Sequence, residues 1–241
     1  MTRVIGLIVN PIAGMGGSVG LKGTDGHEIA DRARALGAIP HAAERATAAL
    51  VVVAGAGAPP GILACAGAMG ETAAIAAGLT PSIGYRPGGQ VTTGEDTRLA
   101  AVALRDAGVG LLVFAGGDGT ARDIVEAVGE TVSVVAVPAG VKIPSAVFAV
   151  NPRAAGDLIV AVLRGGALRT REAEVMDVDE DAYREGRLST RLYGYLHVPD
   201  DPRLVQAGKV RSRGEDMTAD LLGAAAADEM EPGTAYILGP G

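Results

Sequence analysis

Short, unbroken apolar runs separated by glycine-rich turns and Ala/Arg/Asp-rich stretches mark the chain from Met1 to about Gly166. The runs predict strands at Val4–Val9, Leu50–Ala54 (within the longer run Ala48–Ala54), Ile62–Cys65, Gly110–Ala115, Val132–Val137 and Ala146–Val150. Helices are predicted at Gly26–Leu36, Glu71–Ala77, Thr97–Ala107, Ala121–Val128 and Arg153–Arg164. Strands that alternate with helices in this way imply a parallel sheet covered by helices. Runs that are continuously apolar, without polar alternation, imply burial on both faces.

Beyond Gly166 the pattern changes. Residues 168–198 lose the Gly/Ala bias and alternate polar with apolar positions at Leu188, Leu192, Tyr193, Tyr195, Leu196 and Val198. This predicts an antiparallel hairpin with a polar turn near Asp181–Gly186. A helix over 214–230 and a strand at Thr234–Leu238 follow. The expected organisation is an α/β domain over 1–166 and part of a second, β-rich domain over 167–241. A strand that runs straight into Gly239-Pro240-Gly241 is expected to be cut short. Its exposed edge would invite pairing with another chain, so a homo-oligomer is expected.

Composition sharpens this picture at three points. Apolar residues make up 48% of 241 positions, which excludes general disorder. With 36 glycines, abundant alanine, two phenylalanines and no tryptophan, the core must be built from small aliphatic side chains. The net charge of −7 argues against nucleic acid as a partner. The apolar run Val4–Val9 is too short for a signal peptide or a membrane span. The single cysteine, Cys65, forms no intrachain disulfide and reads as a small core residue, which makes the cytoplasm the expected location.

Two loops carry the candidate chemistry. In the first, the strand Leu111–Ala115 runs into Gly116-Gly117-Asp118-Gly119-Thr120 and a helix begins at once. Glycines allow a sharp turn and close approach of a ligand. The helix start presents free N–H groups and a positive dipole end to phosphate. Asp118 then stands where open α/β sheets bind ligands. The plainer reading is a tight turn with Asp118 or Thr120 as an N-cap, but an N-cap does not require three surrounding glycines. The second loop, Asn10 to Gly26, also follows a strand and contains Gly14, Gly16, Gly17 and Lys22. It matches neither the P-loop nor the dinucleotide fingerprint, since Gly23 follows Lys22 and Val19 occupies the third glycine position.

These residues resemble the ATP-NAD kinases. The likeness is closest to a branch described as polyphosphate/ATP-dependent NAD kinases, which includes proteins associated with acetoin catabolism. It rests on the Asn10–Gly26 loop, Gly70-Glu71, Glu95-Asp96-Thr97, Phe114–Asp123, Pro138–Lys142 with Ser145, Asp177–Glu180 and Gly239–Gly241, and so spans essentially the whole chain. The Gly-Gly-Asp-Gly-Thr element is shared with diacylglycerol and sphingosine kinases. The resemblance implies a Rossmann-like first domain, a β-rich second domain and an active site between them. Members of the branch continue past Gly-Pro-Gly for roughly a hundred residues, and this sequence lacks that continuation.

The resemblance also implies transfer of a phosphoryl group from ATP, or from polyphosphate, to the 2′-hydroxyl of NAD. Such a reaction needs positioning, charge neutralisation by Mg²⁺ and a base near the attacking hydroxyl. Asp118 is the expected base. Gly116, Gly117, Gly119 and Thr120 are expected to hold phosphate, and Asn10, Gly14, Gly16 and Gly17 the other end of a phosphate chain. Ser145 and Lys142 are further nucleotide-binding candidates, Lys142 alternatively being a solvated side chain. Asp96 and Thr97 are candidate acceptor contacts, although Glu95-Asp96-Thr97 is most simply a helix start. Asp177, Asp179 and Glu180 are candidate acceptor contacts from the second domain. The Asp177-x-Asp179-x-Asp181 pattern is read as a hairpin turn and not a calcium loop, because Ala182 and Leu188 replace the required Gly and Glu. No metal ligand is assigned, since His27, His41 and His197 share no ligand spacing. A kinase of the same fold acting on another alcohol, and a nucleotide-binding regulator without turnover, are the alternatives. The acidic balance gives no membrane-facing surface for a lipid kinase.

Overall fold

The computed structural model describes residues 4–15, 35, 37–57, 61–89, 91–140, 143–165, 169–178, 190–201 and 205–206. The chain divides into two compact units, Met1–Gly208 and Lys209–Gly241, and the described residues all belong to the first. The expectations for 214–230 and Thr234–Leu238 therefore lie outside the described residues, as does the helix at Gly26–Leu36 apart from Ala35.

Strands β1 (Val4–Val9), β2 (Gly61–Cys65), β3 (Ser82–Tyr85), β4 (Leu111–Gly116) and β5 (Val134–Pro138) form one sheet. Its order is β3-β2-β1-β4-β5 and each neighbouring pair is parallel. Every residue of β4 and β5 is buried, as the unbroken apolar runs require. Strand β3 escapes the sequence reading because it is a four-residue edge strand containing a glycine.

Helices α1 (Ala42–Ala54), α2 (Glu71–Ala76), α3 (Gly94–Asp106), α4 (Asp118–Val128) and α5 (Pro152–Leu163) complete the layers. Right-handed crossovers that step outward in opposite directions from β1 and β4 put their helices on opposite faces. Accordingly α1 packs with α2 and α5, while α3 packs with α4. The α1–α5 crossing is very close. A Cβ on Gly156 would lie 2.5 Å from the Ala49 carbonyl oxygen and 2.6 Å from Val52 Cβ.

The expected strand Leu50–Ala54 is instead the second half of α1. Buried Ala42, Ala46, Ala49, Leu50 and Val53 recur with helical spacing, whereas Val51 is exposed. A short apolar run cannot announce its own period, and helix packing decided this one.

The change of texture after Gly166 corresponds to an antiparallel hairpin, β6 (Thr170–Val178) with β7 (Thr190–Pro199). Ala173, Val175, Leu196 and Val198 form its buried face. A bulge sets Val175 opposite Gly194 but Met176 opposite Leu192. The expected strand Ala146–Val150 is reduced to isolated bridges, because the segment changes partners at every step. Ala146 N–H donates to the Glu174 carbonyl, Phe148 bridges Ala136 and Ala149 bridges Val205. The segment is pinned by Phe148, which meets Phe114 edge to face with ring centroids 5.7 Å apart. No helix among the described residues is long and apolar enough to cross a membrane.

Candidate active site at the carboxyl edge of the sheet

In this strand order the connections leave β1 and β4 in opposite directions, so the crevice between their carboxyl ends is the topological switch point. The two sequence-predicted loops emerge there. Asn10 follows β1, and its N–H donates to the Ala115 carbonyl at the end of β4 (2.9 Å). Its side-chain amide donates to Thr120 Oγ1 (2.9 Å), while Asn10 Oδ1 accepts from the Ile12 N–H (3.2 Å). Asn10 and the buried Thr120 thus tie the two loops together through their side chains. Gly14 adopts φ +87°, and a Cβ there would strike the Ala139 carbonyl oxygen, so the first loop lies directly against the turn after β5.

The turn into α4 explains its glycines individually. A Cβ on Gly116 would overlap the Thr120 side chain. Gly117 is the N-cap of α4, offers no side-chain cap, and faces open space. Asp118 is therefore not the cap. It is the first residue of α4, and its Oδ1 accepts from the Ser145 N–H (3.1 Å) and the Ser145 hydroxyl (2.5 Å). Ser145 is buried, and its Oγ also lies 2.8 Å from the Met176 carbonyl and accepts from the Met176 N–H (2.9 Å).

One helical turn on, Arg122 Nη1 donates to Asp177 Oδ2 of β6 (3.0 Å). Its guanidinium also lies 5.5 Å from the centre of the Tyr193 ring. Residues 118 and 122 of α4 thus share a face turned to the hairpin. Asp177 is brought to that face from the segment for which the family resemblance implies acceptor contacts. The signal for Arg122 was its i,i+4 spacing from Asp118, which the sequence reading did not use.

The remaining acidic candidates separate from this cluster. Asp96 belongs to the capping box of α3, accepting from the Thr93 N–H (2.9 Å) and from the Tyr85 hydroxyl (3.1 Å). Burial works against its ionised form, but hydrogen bonds from the Thr93 backbone, Tyr85, the Thr93 hydroxyl and the Gly88 backbone outweigh it and hold the carboxyl below its usual range. Burial, followed by the Asp96 contact, pushes Tyr85 up to about 12. Thr97 is buried in the same helix. Asp123, which the sequence reading did not single out, is buried against Arg98 (2.5 Å), and burial raises its carboxyl despite the cation. Burial likewise pushes the Cys65 thiol up to about 12, which leaves it inert. At the far end of α4 from Asp118, Glu130, Glu172 and His197 form an exposed to half-exposed group, with His197 Nε2 3.2 Å from Glu130 Oε2. Gly16, Gly17, Lys142, Asp179 and Glu180 lie outside the described residues.

A family model described as the ATP-NAD kinase N-terminal domain matches residues 5–167, more than half of the chain. Comparison with curated proteins and with solved structures returns no match. The matched span runs from β1 through α5 and contains Asn10, Asp118 and Ser145, but stops short of the hairpin that supplies Met176 and Asp177.

Proposed function

Because the chain belongs to the ATP-NAD kinase family, we propose that it phosphorylates the 2′-hydroxyl of the adenosine ribose of NAD, with ATP or polyphosphate as donor. That it is a phosphotransferase of this family follows from the match; the acceptor and donor are our reading. The observation that carries it is Asp118, a carboxylate in the first turn of a helix without a side-chain cap, at the switch point of a parallel sheet.

Phosphoryl transfer asks the protein for positioning, charge compensation and a proton acceptor. In the proposed step the acceptor hydroxyl oxygen bonds to the terminal phosphorus of the donor and its proton passes to Asp118. The bond from that phosphorus to the bridging oxygen of the leaving group breaks, releasing ADP from ATP or a chain one phosphate shorter from polyphosphate. The open side of Gly117 lets phosphate approach the first-turn amides of α4. Mg²⁺ takes phosphate and water oxygens and asks a protein for one or two carboxylates. The ion would arrive on the phosphate oxygens of the donor with its remaining waters, and Asp118 keeps its role as the base. When bound, that ion supplies charge neutralisation on the phosphates.

The test is a panel of acceptors, including NAD and small polyols, incubated with Mg-ATP or with polyphosphate and read by mass spectrometry. A gain of one phosphate on NAD supports the proposal. Phosphorylation of another alcohol with NAD untouched overturns it.

A further inference from the structure

The family resemblance casts Ser145 as a nucleotide contact, but its surroundings describe a different task. Its side chain is 1% exposed and lies between two protein partners, the Asp118 carboxylate on α4 and the Met176 backbone on β6. A hydroxyl carries one hydrogen and two lone pairs. The Met176 N–H takes one lone pair, at 2.9 Å. The single hydrogen then has two acceptors within reach, Asp118 Oδ1 at 2.5 Å and the Met176 carbonyl at 2.8 Å. The Ser145 N–H, at 3.1 Å, adds a second donor to the same carboxylate oxygen.

We propose that Ser145 is the positioning residue for Asp118: it fixes the carboxylate through paired backbone and hydroxyl donors and anchors it to the backbone of β6. The inference rests on the reading of Asp118 as the base, and deepens it. With Asp118 ionised, the hydroxyl hydrogen points to the carboxylate. When a proton arrives at Oδ1, the new carboxyl O–H donates to the remaining lone pair of Ser145 Oγ and the serine hydrogen turns to the Met176 carbonyl. The Asp118–Ser145 hydrogen bond is thereby kept in both protonation states without movement of the backbone. A residue in this position acts on the rate of proton removal and not on the binding of phosphate.

Ser145→Ala separates these roles. Its kcat should fall by about 10- to 100-fold, as misplacement of a reacting group does, with KM for ATP within about twofold of wild type. Ser145→Thr restores a hydroxyl and should recover most of the lost kcat; if it fails to fold, the alanine variant decides alone. An alanine variant with unchanged kcat and raised KM overturns the proposal and returns Ser145 to phosphate binding. The coupling is also readable without turnover. In a double-mutant cycle on equilibrium unfolding, Ser145→Ala and Asp118→Ala should be non-additive by at least about fivefold in the unfolding constant. Additive effects overturn the proposal even if the acceptor panel finds no substrate. An inactive wild type with a coupled pair overturns the kinase reading and leaves the positioning contact standing.

Discussion

Gly116→Ala isolates the packing on which the candidate site depends. The backbone of Gly116 is that of an ordinary strand residue, so a methyl group costs nothing in its own conformation. The cost arises from what the methyl meets: Thr120 Cβ at 2.5 Å and Cγ2 at 2.8 Å, where carbon atoms rest about 3.5–4.0 Å apart. Thr120 cannot retreat easily, because it is buried and its hydroxyl accepts from Asn10. Overpacking of this kind costs about 1–3 kcal/mol. Loss of the Asn10–Thr120 hydrogen bond adds about 1 kcal/mol, so the expected destabilisation is about 2–4 kcal/mol in urea titration. Gly117→Ala is the control, since nothing lies within 4 Å of its Cβ position. It should lose only about 0.5–1 kcal/mol as a weaker N-cap, yet raise KM for ATP if, as proposed, phosphate approaches by the open side of Gly117 that the methyl would fill. Thr120→Ala removes Oγ1 and Cγ2 but retains the Cβ, so it should relieve only part of the clash in Gly116→Ala, and Thr120→Gly removes the rest. Gly116→Ala unfolding within about 0.5 kcal/mol of wild type would refute the reasoning.

Three further outcomes follow from the same geometry. Asp118→Asn keeps the acceptor for Ser145 but removes the proposed base, so turnover should fall by about 10²–10⁴ while ATP affinity changes far less; near-normal turnover would dispose of Asp118 as the base. Asp177→Asn weakens the largely buried contact with Arg122 and should cost about 2 kcal/mol by denaturation, discounted from the range for fully buried pairs because Arg122 is partly exposed; an unchanged midpoint would show that the ion pair does not hold the hairpin. Asp96 has a lowered folded value, so its contribution is present above the ordinary carboxylate value and lost as pH falls through the folded one. The acid limb of the stability curve should therefore be shallower in Asp96→Asn than in wild type, and identical limbs would contradict this.

Much of this architecture was legible because burial on two faces writes unbroken apolar runs into β1, β4 and β5. The turn at Gly116–Thr120 was legible for a different reason, since three glycines around an acid exceed what a cap demands. Leu50–Ala54 misled because its periodicity emerges only from contact with α5. Ser145 was legible as a candidate and Arg122 was not, and the hairpin partners of both were hidden because no local pattern announces that β6 returns to meet α4. Asp96 kept the helix-start role that its spacing to Thr93 suggests, and that role explains its contacts without an acceptor.

The anchoring of Ser145 on Met176 has a consequence for the order of events during synthesis. When a ribosome has released the chain as far as α5, the strands of the parallel sheet and the Gly-Gly-Asp-Gly-Thr turn are all available to fold. Asp118 and Ser145 can then meet, but the backbone groups that hold the serine hydroxyl still lie ahead, together with the carboxylate that clasps Arg122. A nascent chain of that length has the Asp118–Ser145 contact at the sheet edge without its anchor on β6. On the proposed reading, competence arrives only with the hairpin, and a chain that lacks it holds the donor site without the fixed carboxylate.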